Sequence, residues 1–229
     1  MTRTQAVAAF ALWWFVLGSQ VVQAQDLTRY RGYALEGSLD AVIATSGSRI
    51  ADAKVRSERP ARIQELEWRA PYVSTGAEMA DPVRTLTFMF YNDALYQITA
   101  SYDRSRVEGL TAADVVATVS GTYGTPLAGA GRAGARRAID VPSDMVLLAA
   151  WESESASVLL LRGAYSSELQ LNVVSKALAL RAKSAIREAE RLDEIEAPRR
   201  EAERRKQETV DADAARSKAR EMNKAGFRP

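Results

Sequence analysis

Residues 83–102, VRTLTFMFYNDALYQITASY, carry the pattern that decides the fold. On both sides of a central Asn92-Asp93 pair, large apolar side chains alternate with smaller or more polar ones, which places them on one face of a strand. Asn and Asp adopt the tight-turn conformations that join two antiparallel strands. The stretch therefore predicts a β-hairpin with one buried face. The residues of that face are Leu86, Phe88, Phe90, Tyr96, Ile98, Ala100 and Tyr102.

A third strand precedes this hairpin, and a similar set of strands follows it. Leu66 and Trp68 alternate with charged residues up to Pro71, which cannot donate a hydrogen bond to a sheet. Apolar alternation recurs in three short segments within residues 147–173. We therefore expect two groups of three antiparallel strands.

A weak internal repeat relates the two groups. A shift of 73 residues places Leu86 on Leu159 and Ser38 on Thr111. Ser and Thr are common N-cap residues, and Thr111 with Asp114 resembles a capping box, so each predicted group begins with a short helix. The alternative is a single α+β sheet whose strands alternate merely because each has one buried face.

The fold class predicted from these patterns is α+β, with an antiparallel sheet and a long charged helix at the C-terminus. We divide the chain into a signal peptide (1–24), a first helix–strand–hairpin unit (25–105), a second unit (106–176) and a helical tail (177–229) that is partly mobile. Residues 25–174 hold 15 basic and 18 acidic residues, whereas residues 175–229 hold 15 and 11, so the charge changes sign near the tail.

These features resemble a known family. A short helix, a strand with one Trp and an Asn-containing hairpin are similar to the BamE/OmlA (SmpA) envelope-protein fold. Two such units in tandem resemble the secreted beta-lactamase-inhibitor protein. The resemblance covers about residues 30–176 and implies a protein that acts by binding; it carries no functional residues. The matching positions are Gly37-Ser38, Val42-Ile43, Trp68 and Phe88–Asp93, and then Thr111, Val115-Val116, Trp151, Leu159 and Leu161.

The N-terminus has the organisation of a signal peptide. Arg3 supplies a positive charge, and Ala6–Leu17 (AVAAFALWWFVL) is uncharged and apolar. That run is shorter than the roughly 20 residues that span a membrane, which argues against the alternative of a transmembrane anchor. Small residues place cleavage between Ala24 and Gln25. We expect a periplasmic or secreted protein with no stable membrane anchor after cleavage.

The composition excludes several kinds of function. The chain has no His and no Cys, which rules out Ser-His-Asp and Cys-His catalysis, disulfides and an ordinary structural zinc site. The near balance of 31 basic and 29 acidic residues argues against a nucleic-acid partner. We predict no catalytic residues, no metal and no cofactor.

One loop matches a cofactor motif without its context. Gly129–Gly134 reads G-x-G-x-x-G, but a dinucleotide site needs a strand before the motif and a helix after it. Here Tyr123–Pro126 precedes it, which is typical of a loop. The nearby Arg132, Arg136 and Arg137 are candidates for contact with an anionic partner, or are solvated surface charges.

Two carboxylates are candidates for the acid/base pair of a hydrolase. Glu65 and Glu67 lie two positions apart on one strand, so their side chains share a face at a separation of about 7 Å. Such a separation falls in the range of inverting glycoside hydrolases. The same spacing is common in solvated strands, which is the preferred interpretation.

Aromatic residues fall into two classes. Trp68 and Trp151 lie on the apolar sides of their strands and are predicted to be in the core, with a ligand platform as the alternative. Tyr30, Tyr33 and Tyr72 lie outside clear periodicity and are predicted to belong to an exposed partner-binding patch.

The tail is rich in helix-forming Ala, Glu, Arg and Lys. A narrow apolar seam runs along its first part and favours either a coiled coil or, as we prefer, packing on the protein's own sheet. Pro198 is predicted to stop or kink this helix. Residues 199–221 have almost no apolar stripe and are predicted to be a solvated helix or disordered. The seam consists of Leu178, Ala182, Ala185, Ala189 and Leu192.

The function predicted from the sequence is that of an exported, non-catalytic envelope protein. It would act as an adaptor or assembly factor by binding an envelope protein whose identity, like the oligomeric state, the sequence does not specify. The alternative is a proteinaceous inhibitor of a secreted hydrolase, for which the Tyr91–Asp93 turn is the candidate loop. A carboxylate-based hydrolase is the least favoured hypothesis.

Overall fold

The computed structural model describes residues 26–71, 81–129 and 141–226. The strands are β1 (Arg29–Tyr30), β2 (Tyr33–Ala34), β3 (Lys54–Ser57), β4 (Ile63–Arg69), β5 (Val83–Tyr91), β6 (Ala94–Tyr102), β7 (Met145–Glu152), β8 (Ala156–Gly163) and β9 (Leu169–Ser175). The helices are α1 (Leu39–Ser46), α2 (Arg104–Val107), α3 (Ala112–Tyr123) and α4 (Lys176–Gly226), with a 3-10 turn at Ile50–Asp52.

Seven strands form one antiparallel sheet in the order β3-β4-β5-β6-β9-β8-β7. The predicted α+β class, the antiparallel sheet and the long C-terminal helix are confirmed. Strands β6 and β9 pair at the centre; the first group extends outward as four strands, with the unpredicted β3 at the edge, and the second group as three. The two predicted units therefore share one sheet. Duplication of an ancestral unit stays a prediction.

The hairpin β5–β6 forms with the predicted turn at Asn92-Asp93, and its apolar side chains build the centre of the main core. One residue departs from the prediction. A register shift after Met89 pairs Phe90 with Leu95, so that Leu95 enters the main core. Tyr96 turns to the opposite face, where it packs with Ile63 and Ala182. The β-bulge inserts one extra residue between Leu95 and Ile98, so both side chains face the main core although they are three positions apart.

The register of the proposed repeat is wrong for β8. Leu86 lies in the main core, whereas Leu159, its partner after the shift of 73, belongs to a separate cluster on the opposite face. Instead Val158 and Leu160 face the main core. Residues 156–161 are buried at every position, so alternation could not reveal which side chains face which layer.

Both predicted helix caps are confirmed. The side chain of Ser38 accepts a hydrogen bond from the Ala41 amide at the start of α1. Thr111 and Asp114 form a reciprocal capping box at the start of α3. These caps satisfy amide groups that have no partner within the helix itself.

The end of α3 is fixed to the sheet by aromatic residues. The indole of Trp151 donates a hydrogen bond to the Gly124 carbonyl over 2.7 Å, and the ring of Tyr123 lies 6.4 Å from that of Trp151. Trp151 is buried, as predicted, and Trp68 is partly buried against the same core. The contacts join the second strand group to the helix that precedes it.

The tail is a single helix of 51 residues; of the two effects predicted for Pro198, the stop is wrong, and a kink stays a prediction. Proline lacks an amide hydrogen, and its ring crowds the carbonyls one turn earlier. The guanidinium of Arg200 bonds to both the carboxylate and the carbonyl oxygen of Asp193, at 2.9 and 3.3 Å. This contact links the turns of α4 on either side of Pro198.

The first part of α4 packs across β5, β6 and β9, on the face opposite to α1 and α3. Ala182 is only 1% exposed and lies against Ile63 and Tyr96. The predicted apolar seam is therefore used by the protein's own sheet. No helix in the described ranges is both long and apolar enough to cross a membrane.

Candidate binding surfaces

The structure corrects the predicted tyrosine patch. Tyr30 and Tyr33 are 5% and 8% exposed, so neither belongs to a surface patch. They lie on the small hairpin β1–β2, which folds over the main core and brings the Tyr33 ring to 4.6 Å from that of Phe88. Strands of two residues are too short to show a period in the sequence. Tyr72, Arg132, Arg136, Arg137 and the predicted cleavage site Ala24-Gln25 lie outside the described residues.

The buried tyrosines form a structural cluster. Burial raises the pKa of Tyr30 and raises that of Tyr123 to about 12, so both hydroxyls are neutral at ordinary pH. The Tyr123 hydroxyl donates to the Arg29 carbonyl over 2.9 Å. Arg31 lies 5.4 Å above the Tyr30 ring and forms a bidentate pair with Asp81, which lowers the pKa of that carboxyl. The cluster holds the N-terminal hairpin on the sheet.

The two candidate carboxylates share a face of β4, as predicted, but each has its own basic partner. Glu65 lies 2.6 Å from Arg56, and Glu67 lies 2.6 Å from Arg69. Neither lines any of the grooves described in this section. In residues 26–71, 81–129 and 141–226, no group of three or more acidic side chains is arranged to hold a metal ion.

The turn between β5 and β6 does not form a free loop. The carboxylate of Asp93 accepts a hydrogen bond from the Leu39 amide at 3.1 Å, and the Asn92 side chain accepts one from the Arg62 amide at 2.9 Å. Both residues have positive φ angles, which suit the tight turn. The turn is therefore built into the structure of α1 and β4.

A different turn exposes an aromatic side chain. Tyr165 follows β8 and is 98% exposed. A Cβ on Gly163 would lie 2.0 Å from the Ser166 hydroxyl and 3.2 Å from the Ser166 carbonyl oxygen, so a larger residue would require the turn to shift. Sequence analysis missed Tyr165 because a single Tyr between small residues has no periodicity.

The second part of α4 forms a projecting surface, which we call the arm (residues 197–226). Its described side chains are exposed, except that of Glu201, which is partly covered. The arm carries nine basic and six acidic residues. Ion pairs at helical spacing link many of them, for example Arg204 with Glu201 at 2.7 Å and with Glu208 at 2.8 Å. At 1.5 Å per residue, it is about 45 Å long.

A groove lies between α4 and the sheet edge where the arm begins. Arg59 and Glu190 are among its charged lining residues, and its apolar lining consists of Ile63, Met89, Ile186, Ala189 and Leu192. An ion pair between Arg59 and Glu196 spans the same region at 3.1 Å. The groove therefore belongs to the attachment of the helix.

A smaller concave site is a cavity of about 200 Å³ at the start of α3, which we call the α3 cleft. It lies where the first turn of α3 faces the middle of β7, the C-terminal end of β8 and the start of β9. Its lining combines apolar side chains with two arginines, Arg104 and Arg162. The apolar lining residues are Val107, Leu110, Val115, Leu148 and Leu169.

Comparisons with known proteins identified no relative of this chain. No family model matches the chain, no curated protein matches it, and no solved structure matches it. The resemblance to the envelope-protein family therefore stays a prediction.

Proposed function

We propose that this chain is an exported, non-catalytic binding protein of the bacterial envelope, and that its arm contacts the partner. The observation that carries the proposal is the continuation of α4 for 30 residues past its last contact with the sheet. An extended helix of this kind offers a partner a surface that is separate from the core of the domain.

The arm has the properties expected of a helix that contacts another molecule. It has no apolar stripe and buries nothing on the sheet, so hydrophobic packing does not explain it. Ion pairs three and four residues apart stabilise a helix of this kind in solvent, each by about 0.2–0.5 kcal/mol. A preformed helix loses less conformational entropy on binding than a disordered tail of the same length.

Two further features support the rest of the proposal. The charged n-region and the apolar h-region within residues 1–24 are typical of export. The absence of His and Cys removes the residue types on which most hydrolytic active sites depend.

Co-purification tests the proposal most directly. The full chain and a variant lacking residues 199–229 would be expressed with their export signal, cross-linked in cells and purified from periplasmic extract. Arg181→Gln, an exposed change in the docked part of α4, is the matched control. We expect a defined partner to be retained by the full chain and by the control, and lost from the truncated chain. Equal recovery with the truncated chain, or accumulation of the protein in the cytoplasm, contradicts the proposal.

The exposure of Tyr165 favours one alternative, an inhibitor of a secreted hydrolase. Tyrosine is among the residues that dominate binding energy at interfaces, and its side chain has few rotatable bonds to restrict on binding. The test measures inhibition of a panel of secreted hydrolases by the wild-type chain and by Tyr165→Ser. Inhibition that falls at least tenfold in the variant supports this function, whereas no inhibition by the wild type excludes it for that panel.

A further inference from the structure

We propose that the α3 cleft binds a small amphipathic carboxylate, with its alkyl chain between α3 and the sheet and its carboxylate at Arg104 and Arg162. This site is separate from the arm, and the inference does not depend on the proposed partner. It rests on the shape, the lining and the charges of the cleft.

The cleft exists because α3 is only loosely packed at its beginning. The C-terminal residue Tyr123 is buried, whereas Val115 near the start of the helix is only partly buried. Leu110, which precedes the helix, is 52% exposed although it lines the cavity. The start of α3 thus leaves an open apolar surface that water covers when no ligand is bound.

Apolar side chains form most of the enclosure. Val107 and Leu110 contribute from the segment before α3, Val115 from the helix, and Leu148 and Leu169 from the sheet. Small-molecule sites commonly combine such an apolar lining with a few polar groups that fix the orientation of the ligand. We take one methylene group to occupy about the volume of one water molecule, about 30 Å³. The cavity of about 200 Å³ therefore has room for an alkyl chain of about six to eight carbons.

The charge of the rim selects the head group. Arg104 and Arg162 form no ion pair with any residue of the described chain, although both line the cleft. Glu108 is the acidic residue of the same lining, so the rim keeps a net positive charge. A guanidinium group binds a carboxylate through two parallel hydrogen bonds, which favours an acid over an alcohol or an amine.

The first experiment measures binding of octanoate to the mature chain (residues 25–229) by calorimetry and by amide chemical shifts. 1-Octanol and octylammonium are the uncharged and cationic probes of equal chain length. We expect octanoate to bind with a Kd on the order of 0.1–1 mM, with shifts centred on Leu110, Ala112 and Val115. Equal binding of 1-octanol, or shifts centred elsewhere, overturns the inference.

Variants separate the head-group contact from the apolar contact. Arg104→Gln and Arg162→Gln should each weaken octanoate binding about fivefold, as expected for partly exposed charged hydrogen bonds. Arg106→Gln, on the same short helix but outside the lining, should leave the Kd unchanged. Ala112→Leu should fill the cleft and abolish binding while both arginines remain. Wild-type affinity in the two cleft arginine variants contradicts the proposed site.

A third measurement addresses the source of the carboxylate. Acetyl-alanyl-leucine presents the same apolar and acidic groups as the C-terminus of a peptide. We expect it to bind more weakly than octanoate, because its polar backbone amides would enter the apolar cavity. Tighter binding of the peptide overturns the assignment to a free acid. The arm-deleted chain should bind octanoate like the full chain, which keeps this inference independent of the proposed partner.

Discussion

The guanidinium of Arg59 lies 3.1 Å from the carboxylate of Glu196, and this pair marks the point where α4 leaves the sheet. Before it, the helix packs on Ile63 and Tyr96; after it, the helix is exposed. The position of this boundary divides one uninterrupted helix into a docked part and a solvated arm. The two parts should respond differently to mutation.

Deletion of residues 199–229 should change the melting temperature of the protein by less than about 2 °C, because the described side chains of this segment are exposed apart from the partly covered Glu201. Deletion of residues 176–229 is the control and should lower the melting temperature by about 10 °C or more, since it uncovers Ile63 and Tyr96. Thermal unfolding followed by circular dichroism compares the two. A large decrease on removal of the arm alone would show that the arm packs on the domain.

Ala182→Leu should destabilise the protein by about 1–3 kcal/mol, because Ala182 is enclosed between α4 and the sheet and the larger side chain overpacks that contact. Ala177→Leu adds the same side chain to the same helix at an exposed position and should change the free energy of unfolding by less than about 0.5 kcal/mol. Urea titration measures both. Equal effects at the two positions would contradict the docking of α4 by this face.

Asp93→Ala should cost about 1–3 kcal/mol, because alanine removes the acceptor for the Leu39 amide and disfavours the φ of +69° at this position. Asp93→Asn keeps a side-chain oxygen and tolerates this backbone conformation, so it should cost less than about 1 kcal/mol. Asp40→Asn, an exposed acid in the first turn of α1, is the control for charge alone. The reverse order for the two Asp93 variants would show that Asp93 does not cap α1.

Stability should fall at alkaline pH through the buried tyrosines. The pKa of Tyr123 is raised from 10.0 to about 12, so the folded state holds this proton more tightly than the unfolded state. Its contribution is complete below the unfolded pKa of 10.0 and is lost as the pH rises towards 12. Tyr123→Phe should therefore show a smaller loss of stability than the wild type between about pH 9 and about pH 11.5. An unchanged pH profile in the variant would contradict the raised pKa.

The hairpin β5–β6 could be predicted because its outer face carries polar or partly buried side chains, which make the alternation visible. Strand β8 could not be placed in register, because residues 156–161 are buried on both sides. Tyr30 and Tyr33 were misplaced for a related reason: their burial comes from a short hairpin that folds back over Phe88. No local pattern records such a contact.

The candidate binding surfaces also differ in whether the sequence alone predicted them. The charged, helix-forming composition of the arm was visible in the sequence, although Pro198 suggested an interruption that the structure does not have. The α3 cleft was not visible, because Arg104 and Arg162 are 58 positions apart and line the same cavity only in the folded chain.

By itself, the sequence determined the α+β class, the caps of α1 and α3, the central hairpin and the helical character of the tail. These features depend on hydrogen bonds and periodicities within a few residues of each other. The tertiary structure decided which residues of β6 and β8 face each side of the sheet, where α4 leaves the sheet, and which arginines line a cavity. Those outcomes depend on side chains that are distant in sequence, and only the packing of complete elements brings them into contact.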